Sequence, residues 1–111
     1  MILFKILGLH DHRNVSTVED MVKLSLEIWK IPLLREIVRT TDYTARVYRL
    51  EDTTCLDWEN TNRLLFKNKT HCMGIKTGIT KQAGPCLSSV FYKEDRQILC
   101  VVLNSNIFCL I

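Results

Sequence analysis

No apolar run in this chain approaches the ~20 residues that a bilayer-spanning helix requires. No targeting segment is expected either. Residues 1–9 are apolar apart from Lys5, but His10, Asp11, His12 and Arg13 follow at once, without a basic leader, a longer apolar core or a small-residue cleavage site. An excess of one charge is also lacking. Fifteen Lys and Arg against 12 Asp and Glu leave a net charge of +3, too little to argue for nucleic acid, and the basic residues do not cluster beyond Lys67 and Lys69. The five cysteines, Cys55, Cys72, Cys86, Cys100 and Cys109, form no C-x-x-C pair and no zinc-finger spacing. His71 and Cys72 are neighbours, and on an extended chain neighbours point to opposite faces, so no metal is expected. Cys86, Cys100 and Cys109 lie in apolar stretches and read as small core hydrophobes. The odd cysteine count sits poorly with an oxidising compartment, and the sequons at Asn14 and Asn68 matter only in a secreted chain.

What is present is an ordinary globular composition of 111 residues, 47% hydrophobic and 24% charged, enough for one domain. That excludes a disordered tail, a collagen-like chain and a low-complexity repeat. Ser16-Thr17-Val18-Glu19 reads as a capping box with Ser16 as the cap, after which Val18, Met21, Val22, Leu24, Ile28 and Trp29 recur at helical spacing. Pro32 stops that helix near Lys30 and opens a second one through Leu33, Leu34, Ile37 and Val38. Residues 43–50 alternate as an exposed strand, and residues 51–57 read as polar and turn-like. Residues 87–92 and 97–103 are apolar runs separated by Lys93-Glu94-Asp95-Arg96, which predicts an antiparallel hairpin. Two leading helices followed by antiparallel strands make an α+β chain.

One stretch carries chemistry: Gly74-Ile75-Lys76-Thr77-Gly78-Ile79-Thr80. Lys-Thr-Gly alone is a weak signal that a simple turn would also produce. Its residue types nevertheless suit one task. A cation holds a substrate carboxylate and stabilises developing negative charge, a hydroxyl hydrogen-bonds that carboxylate, and a glycine lets a substrate backbone lie against the strand.

The surrounding sequence resembles the serine-type D-Ala-D-Ala carboxypeptidases, the low-molecular-mass penicillin-binding proteins of peptidase family S11. The resemblance rests on Gly8-Leu9-His10-Asp11 with Asn14-Val15-Ser16-Thr17 and Asp20, on Leu34-Arg35-Glu36-Ile37-Val38 with Tyr43-Thr44, and on Gln82-Ala83-Gly84 with Leu87. Its most specific pair is Asn60-Thr61-Asn62-Arg63-Leu64-Leu65 followed by Gly74-Ile75-Lys76-Thr77-Gly78, and it spans about residues 8–104. It implies a partial serine β-lactamase/penicillin-binding-protein-like fold, with residues 1–111 as the C-terminal part of a catalytic domain whose nucleophile region lies upstream. It also implies that Lys76 supplies positive potential, that Thr77 and Gly78 bind the terminal carboxylate and backbone of the substrate, and that Arg63 adds a basic group for that carboxylate. Peptidoglycan stem peptides and β-lactams would be the partners, cleaved by acyl transfer without a metal or organic cofactor, outside the cytoplasm.

The family's nucleophile is the serine of S-x-x-K, and none of Ser16, Ser25, Ser88, Ser89 or Ser105 has a lysine three positions on. No S-x-N triplet occurs either. Ser89 and Cys86 are the alternative nucleophiles nearest the motif. This chain alone is therefore expected to be inactive, and a non-catalytic relic or interaction module that keeps the binding edge is the competing reading. One face of residues 87–92 and 97–103 is expected to lie bare, and self-association is expected to follow from that face and from an unpaired strand edge.

Overall fold

The computed structural model describes residues 10–50, 52–67 and 71–106. Helix α1 (Val18–Lys30) begins one residue later than the capping-box reading places it. Thr17 is the cap: its backbone is extended (φ −117°, ψ 164°) and its hydroxyl accepts the Asp20 amide at 3.2 Å. Ser16 instead turns its hydroxyl toward the Thr17 carbonyl. Glu19 and Asp20 in the first turn and Lys30 in the last complement the helix dipole. Ile31 is forced into an extended conformation (φ −91°, ψ 111°) by the proline that follows, and Pro32 opens helix α2 (Pro32–Arg39).

Strand β1 (Asp42–Tyr48) pairs antiparallel with β2 (Thr53–Glu59), which overturns the expectation of a polar turn over residues 51–57. Thr54, Leu56 and Trp58 recur every second residue, so pairing places them opposite Val47, Ala45 and Tyr43 on one face of the hairpin. There the Tyr43 and Trp58 rings stack with centroids 6.1 Å apart. The one-turn helix α3 (Leu64–Lys67) buries Leu65.

The second sheet runs β3-β4-β5, with β3 (Cys72–Thr80) at its edge, β4 (Gly84–Lys93) central and β5 (Arg96–Val102) beyond it, all antiparallel. The expected hairpin of the last two strands is present. The bare face is not found on β4. Leu87 and Ser89 point to one side and Ser88 and Val90 to the other, and all four are buried. On the Ser88 side the cover is α1. Ser25 and Trp29, one turn apart, reach that face, where the Ser25 and Ser88 hydroxyls meet at 2.7 Å and the Trp29 Nε1 donates to the Gln97 side-chain carbonyl at 2.9 Å.

Ser25 is consequently the buried residue of α1, whereas Val18 and Leu24 of the expected apolar stripe are exposed. Among the described residues the apolar core is small, formed by Leu65, Cys72, Ile75, Leu87 and Val90. The core cysteine is Cys72; Cys86 and Cys100 are half-buried, and Cys109 lies outside the described residues.

Helix α2 packs on β3 at a bulge. The register shifts between Cys72 and Ile75, and Gly74 within the bulge has φ +82°. A Cβ at Gly74 would fall within 3.0 Å of the Val38 carbonyl of α2, so only glycine permits this close approach.

Candidate functional site

The Lys76-Thr77-Gly78 stretch is a strand segment, not a turn. It lies in the second half of β3, paired with Ser88, Leu87 and Cys86 of β4. β3 is a sheet edge, so alternate backbone amides and carbonyls along it face away from β4 and can receive an extended ligand. Alternation exposes Lys76 and Gly78 and buries Thr77 to 4%. The Lys76 ammonium folds back onto the Thr77 carbonyl, which concentrates positive charge on the motif. A Cβ at Gly78 would meet nothing within 4 Å, so the space over the strand is open there.

Thr77 has a partner that the sequence reading did not assign. Its hydroxyl lies 2.6 Å from the Thr61 hydroxyl, which belongs to the loop between β2 and α3. That loop is held by its asparagines. Asn60 donates its amide nitrogen to the Thr40 carbonyl at 2.9 Å and to the Val38 carbonyl at 3.4 Å, and its backbone N–H binds the Thr41 carbonyl at 2.7 Å. The Asn60 side-chain oxygen accepts the Asn62 amide at 2.9 Å, and the Asn62 side-chain oxygen accepts the Leu64 amide at 3.1 Å. Asn62 is 1% exposed, and its side-chain NH₂ has no hydrogen-bond partner among the described residues. The end of α2 therefore positions both sides of the site, the bulge of β3 through Gly74 and the Thr61 loop through Asn60.

Arg63 is exposed on the same loop and lines a cavity of about 340 Å³ with Glu59, Asn60 and Thr61. The residue bonded to the motif is Thr61, two positions earlier. The two alternative nucleophiles are placed differently. Ser89 is fully buried and donates to the Gly74 carbonyl at 3.2 Å, with the Cys72 sulfur also 3.2 Å away. Cys86 is half-buried and turns its thiol toward the Ala83 and Gly84 carbonyls at 3.7 Å. A larger groove of about 500 Å³ runs between α2 and the β1–β2 hairpin, lined by Leu33, Ile37, Tyr43 and Trp58 among others, and the Lys-Thr-Gly motif does not line it.

The sequence profile of the D-alanyl-D-alanine carboxypeptidase family, peptidase S11, matches residues 4–107. The chain belongs to this family. Among curated relatives, the D-alanyl-D-alanine endopeptidase of Escherichia coli K12 is 31% identical over 98 residues, covering 88% of this chain and 31% of that protein. The D-alanyl-D-alanine carboxypeptidase of Streptomyces strain K15 is 30% identical over 101 residues, covering 89% of this chain and 34% of that one. Solved structures of the Streptomyces K15 DD-transpeptidase superpose with TM-scores of 0.80 for its R248L variant (28% identity, 88% of this chain and 38% of that chain) and 0.79 for the unsubstituted enzyme (29% identity, 86% and 37%). The chain thus spans about a third of the length of these carboxypeptidase-family relatives. Its α+β arrangement of helices followed by antiparallel strands is theirs.

Proposed function

We propose that this chain supplies the carboxylate-binding strand of a serine-type D-Ala-D-Ala carboxypeptidase site. The observation that carries the reading is the placement of Lys76, Thr77 and Gly78 on the open edge of β3 in a chain of this family. A peptide ending in D-alanine, or a β-lactam, would lie along β3. Lys76 would give positive potential, the Thr77 hydroxyl would bind the terminal carboxylate, and Gly78 would leave room for the backbone. Arg63, at the rim of the cavity that reaches Thr61, would add a second cation. Peptidoglycan stem peptides would be the biological ligands.

Chemistry in this reading is acyl transfer to a serine, and the 111 residues contain no S-x-x-K to provide it. We therefore assign binding, and not turnover, to these residues as they stand. The second reading is a non-catalytic module that keeps the binding edge. Among the described residues fifteen large hydrophobic side chains are exposed, and the edge of β3 is unpaired, so pairing between copies is the competing use of the strand.

Titration of the ¹⁵N-labelled chain with acetyl-D-Ala-D-Ala tests the reading. Saturable amide shifts centred on residues 75–79, lost in Lys76→Ala and Thr77→Val, are expected. Shifts spread evenly over the surface, or none, would remove the function from this strand.

A further inference from the structure

We infer that Thr61 is a positioning residue of the Lys-Thr-Gly site, whose hydroxyl fixes the direction in which Thr77 offers its own hydrogen bond. This inference rests on the carboxylate-binding reading for its purpose, but its geometry stands independently.

Two hydroxyls 2.6 Å apart share one hydrogen, and either oxygen can be the donor. The pair holds two hydrogens in all. One is consumed between the oxygens, which leaves a single outward donor and a fixed lone-pair pattern around it. Thr77 is 4% exposed and its backbone is locked in β3, so its side chain has little freedom except rotation of the O–H. Without Thr61 that rotor would be free; with Thr61 donating, the Thr77 hydrogen is left for an anionic acceptor on the strand edge. An acceptor-only ligand such as a carboxylate suits this pair, because it demands the one donor that remains.

The loop is built to hold Thr61 in place. Asn60 ties the position before it to the Val38 and Thr40 carbonyls at the end of α2, and Asn62 on its other side is buried and accepts the Leu64 amide. Thr61 itself is exposed, so changing its side chain leaves the described core untouched.

The experiment uses the whole 111-residue chain and two readouts. The first, without ligand, is the set of three-bond couplings to the Thr77 methyl, together with detection of a slowly exchanging hydroxyl proton at Thr61 or Thr77. One Thr77 rotamer is expected in all three forms, because packing holds the side chain, and a protected hydroxyl is expected in the parent and in Thr61→Ser and is lost in Thr61→Val. A Thr77 hydroxyl as well protected in Thr61→Val as in the parent would overturn the inference.

The second readout is affinity for acetyl-D-Ala-D-Ala. Thr61→Val should weaken it by about 2–10-fold, the range of a neutral hydrogen bond, with Thr61→Ser restoring it and Thr61→Val/Thr77→Val no weaker than Thr77→Val alone. Full additivity of the two substitutions would also overturn it. If the parent chain binds no peptide, the carboxylate-binding reading fails, and the first readout alone decides whether Thr61 positions Thr77.

Discussion

Replacing each of two glycines in β3 by alanine separates the part of the strand that holds the fold from the part offered to a ligand. Gly74 has φ +82°, and a Cβ there falls within 3.0 Å of the Val38 carbonyl. The left-handed conformation costs a non-glycine residue about 1–2 kcal/mol. The obstructing atom is backbone, so no rotamer change relieves it. Helix α2 must move, an overpacking cost of about 1–3 kcal/mol. Gly74→Ala should therefore lose about 2–5 kcal/mol, a large share of the 5–15 kcal/mol typical of a domain. Gly78 meets nothing within 4 Å of an added Cβ and does not adopt a positive φ. Gly78→Ala should leave stability unchanged or raise it by up to about 1 kcal/mol, because alanine restricts the unfolded chain. Its methyl would occupy the open space over the strand, so affinity for acetyl-D-Ala-D-Ala should fall. Urea unfolding followed by tryptophan fluorescence, at a mid-range slope of about 2 kcal/mol/M, would show the Gly74→Ala midpoint lowered by roughly 1–2.5 M. A Gly74→Ala midpoint equal to that of the parent would refute the close-approach argument. Gly78→Ala with undiminished peptide affinity would refute the placement of the ligand over Gly78.

Ser25→Ala should cost about 1–3 kcal/mol by stranding the buried Ser88 hydroxyl, and Ser25→Ala/Ser88→Ala should cost less than the two single changes together, as measured by the same urea titrations. Trp29→Phe removes the exposed bond to Gln97 and should cost no more than about 1.5 kcal/mol; a larger loss of stability in urea would mean that Trp29 acts chiefly through packing. Labelled penicillin should leave no covalent adduct on this chain by mass spectrometry, and an adduct on any serine would reverse the assignment of binding without turnover. Size-exclusion chromatography should show an apparent mass that rises with concentration, and a monomer at all concentrations would mean that neither the β3 edge nor the exposed apolar side chains recruit a second copy.

The helices, the last hairpin and the motif were legible because each is written in local chemistry. Pro32 fixes where α1 ends and α2 begins, and Lys93-Glu94-Asp95-Arg96 marks a turn between two apolar runs. β2 was missed because Asp52, Thr53, Thr54 and Asp57 read as turn residues. Its signal was the period-two recurrence of Thr54, Leu56 and Trp58, which gains meaning only opposite Val47, Ala45 and Tyr43. The cover on β4 was missed because the group contacting Ser88 is a serine 63 residues earlier, and a serine on an amphipathic helix looks like a solvent-facing residue until its partner is known. Thr61 was missed for the same reason. Arg63 drew attention by its charge, whereas proximity to Thr77 is set by the loop that Asn60 anchors to α2.

The serines show why a motif lysine does not by itself make a catalytic site. Lys76 stands directly opposite Ser88 in the β3–β4 register, so the two side chains share a face. In sequence terms that is a serine beside the cation of a Lys-Thr-Gly motif. The Ser88 hydroxyl, however, is 2.7 Å from Ser25 beneath α1, and the residue is 6% exposed. Ser89, next along β4, faces the other way and is spent on the Gly74 carbonyl. A buried hydroxyl must be paired, and both serines are paired to structure: one joins helix to sheet, the other braces the bulge that admits α2. A nucleophile needs access to the ligand and a base within hydrogen-bond reach, and neither serine is open to a ligand lying along the outer edge of β3. The hydroxyls that meet at this strand's motif are those of Thr77 and Thr61, of which Thr61 is exposed, and in the proposed reading this pair is what holds the anion.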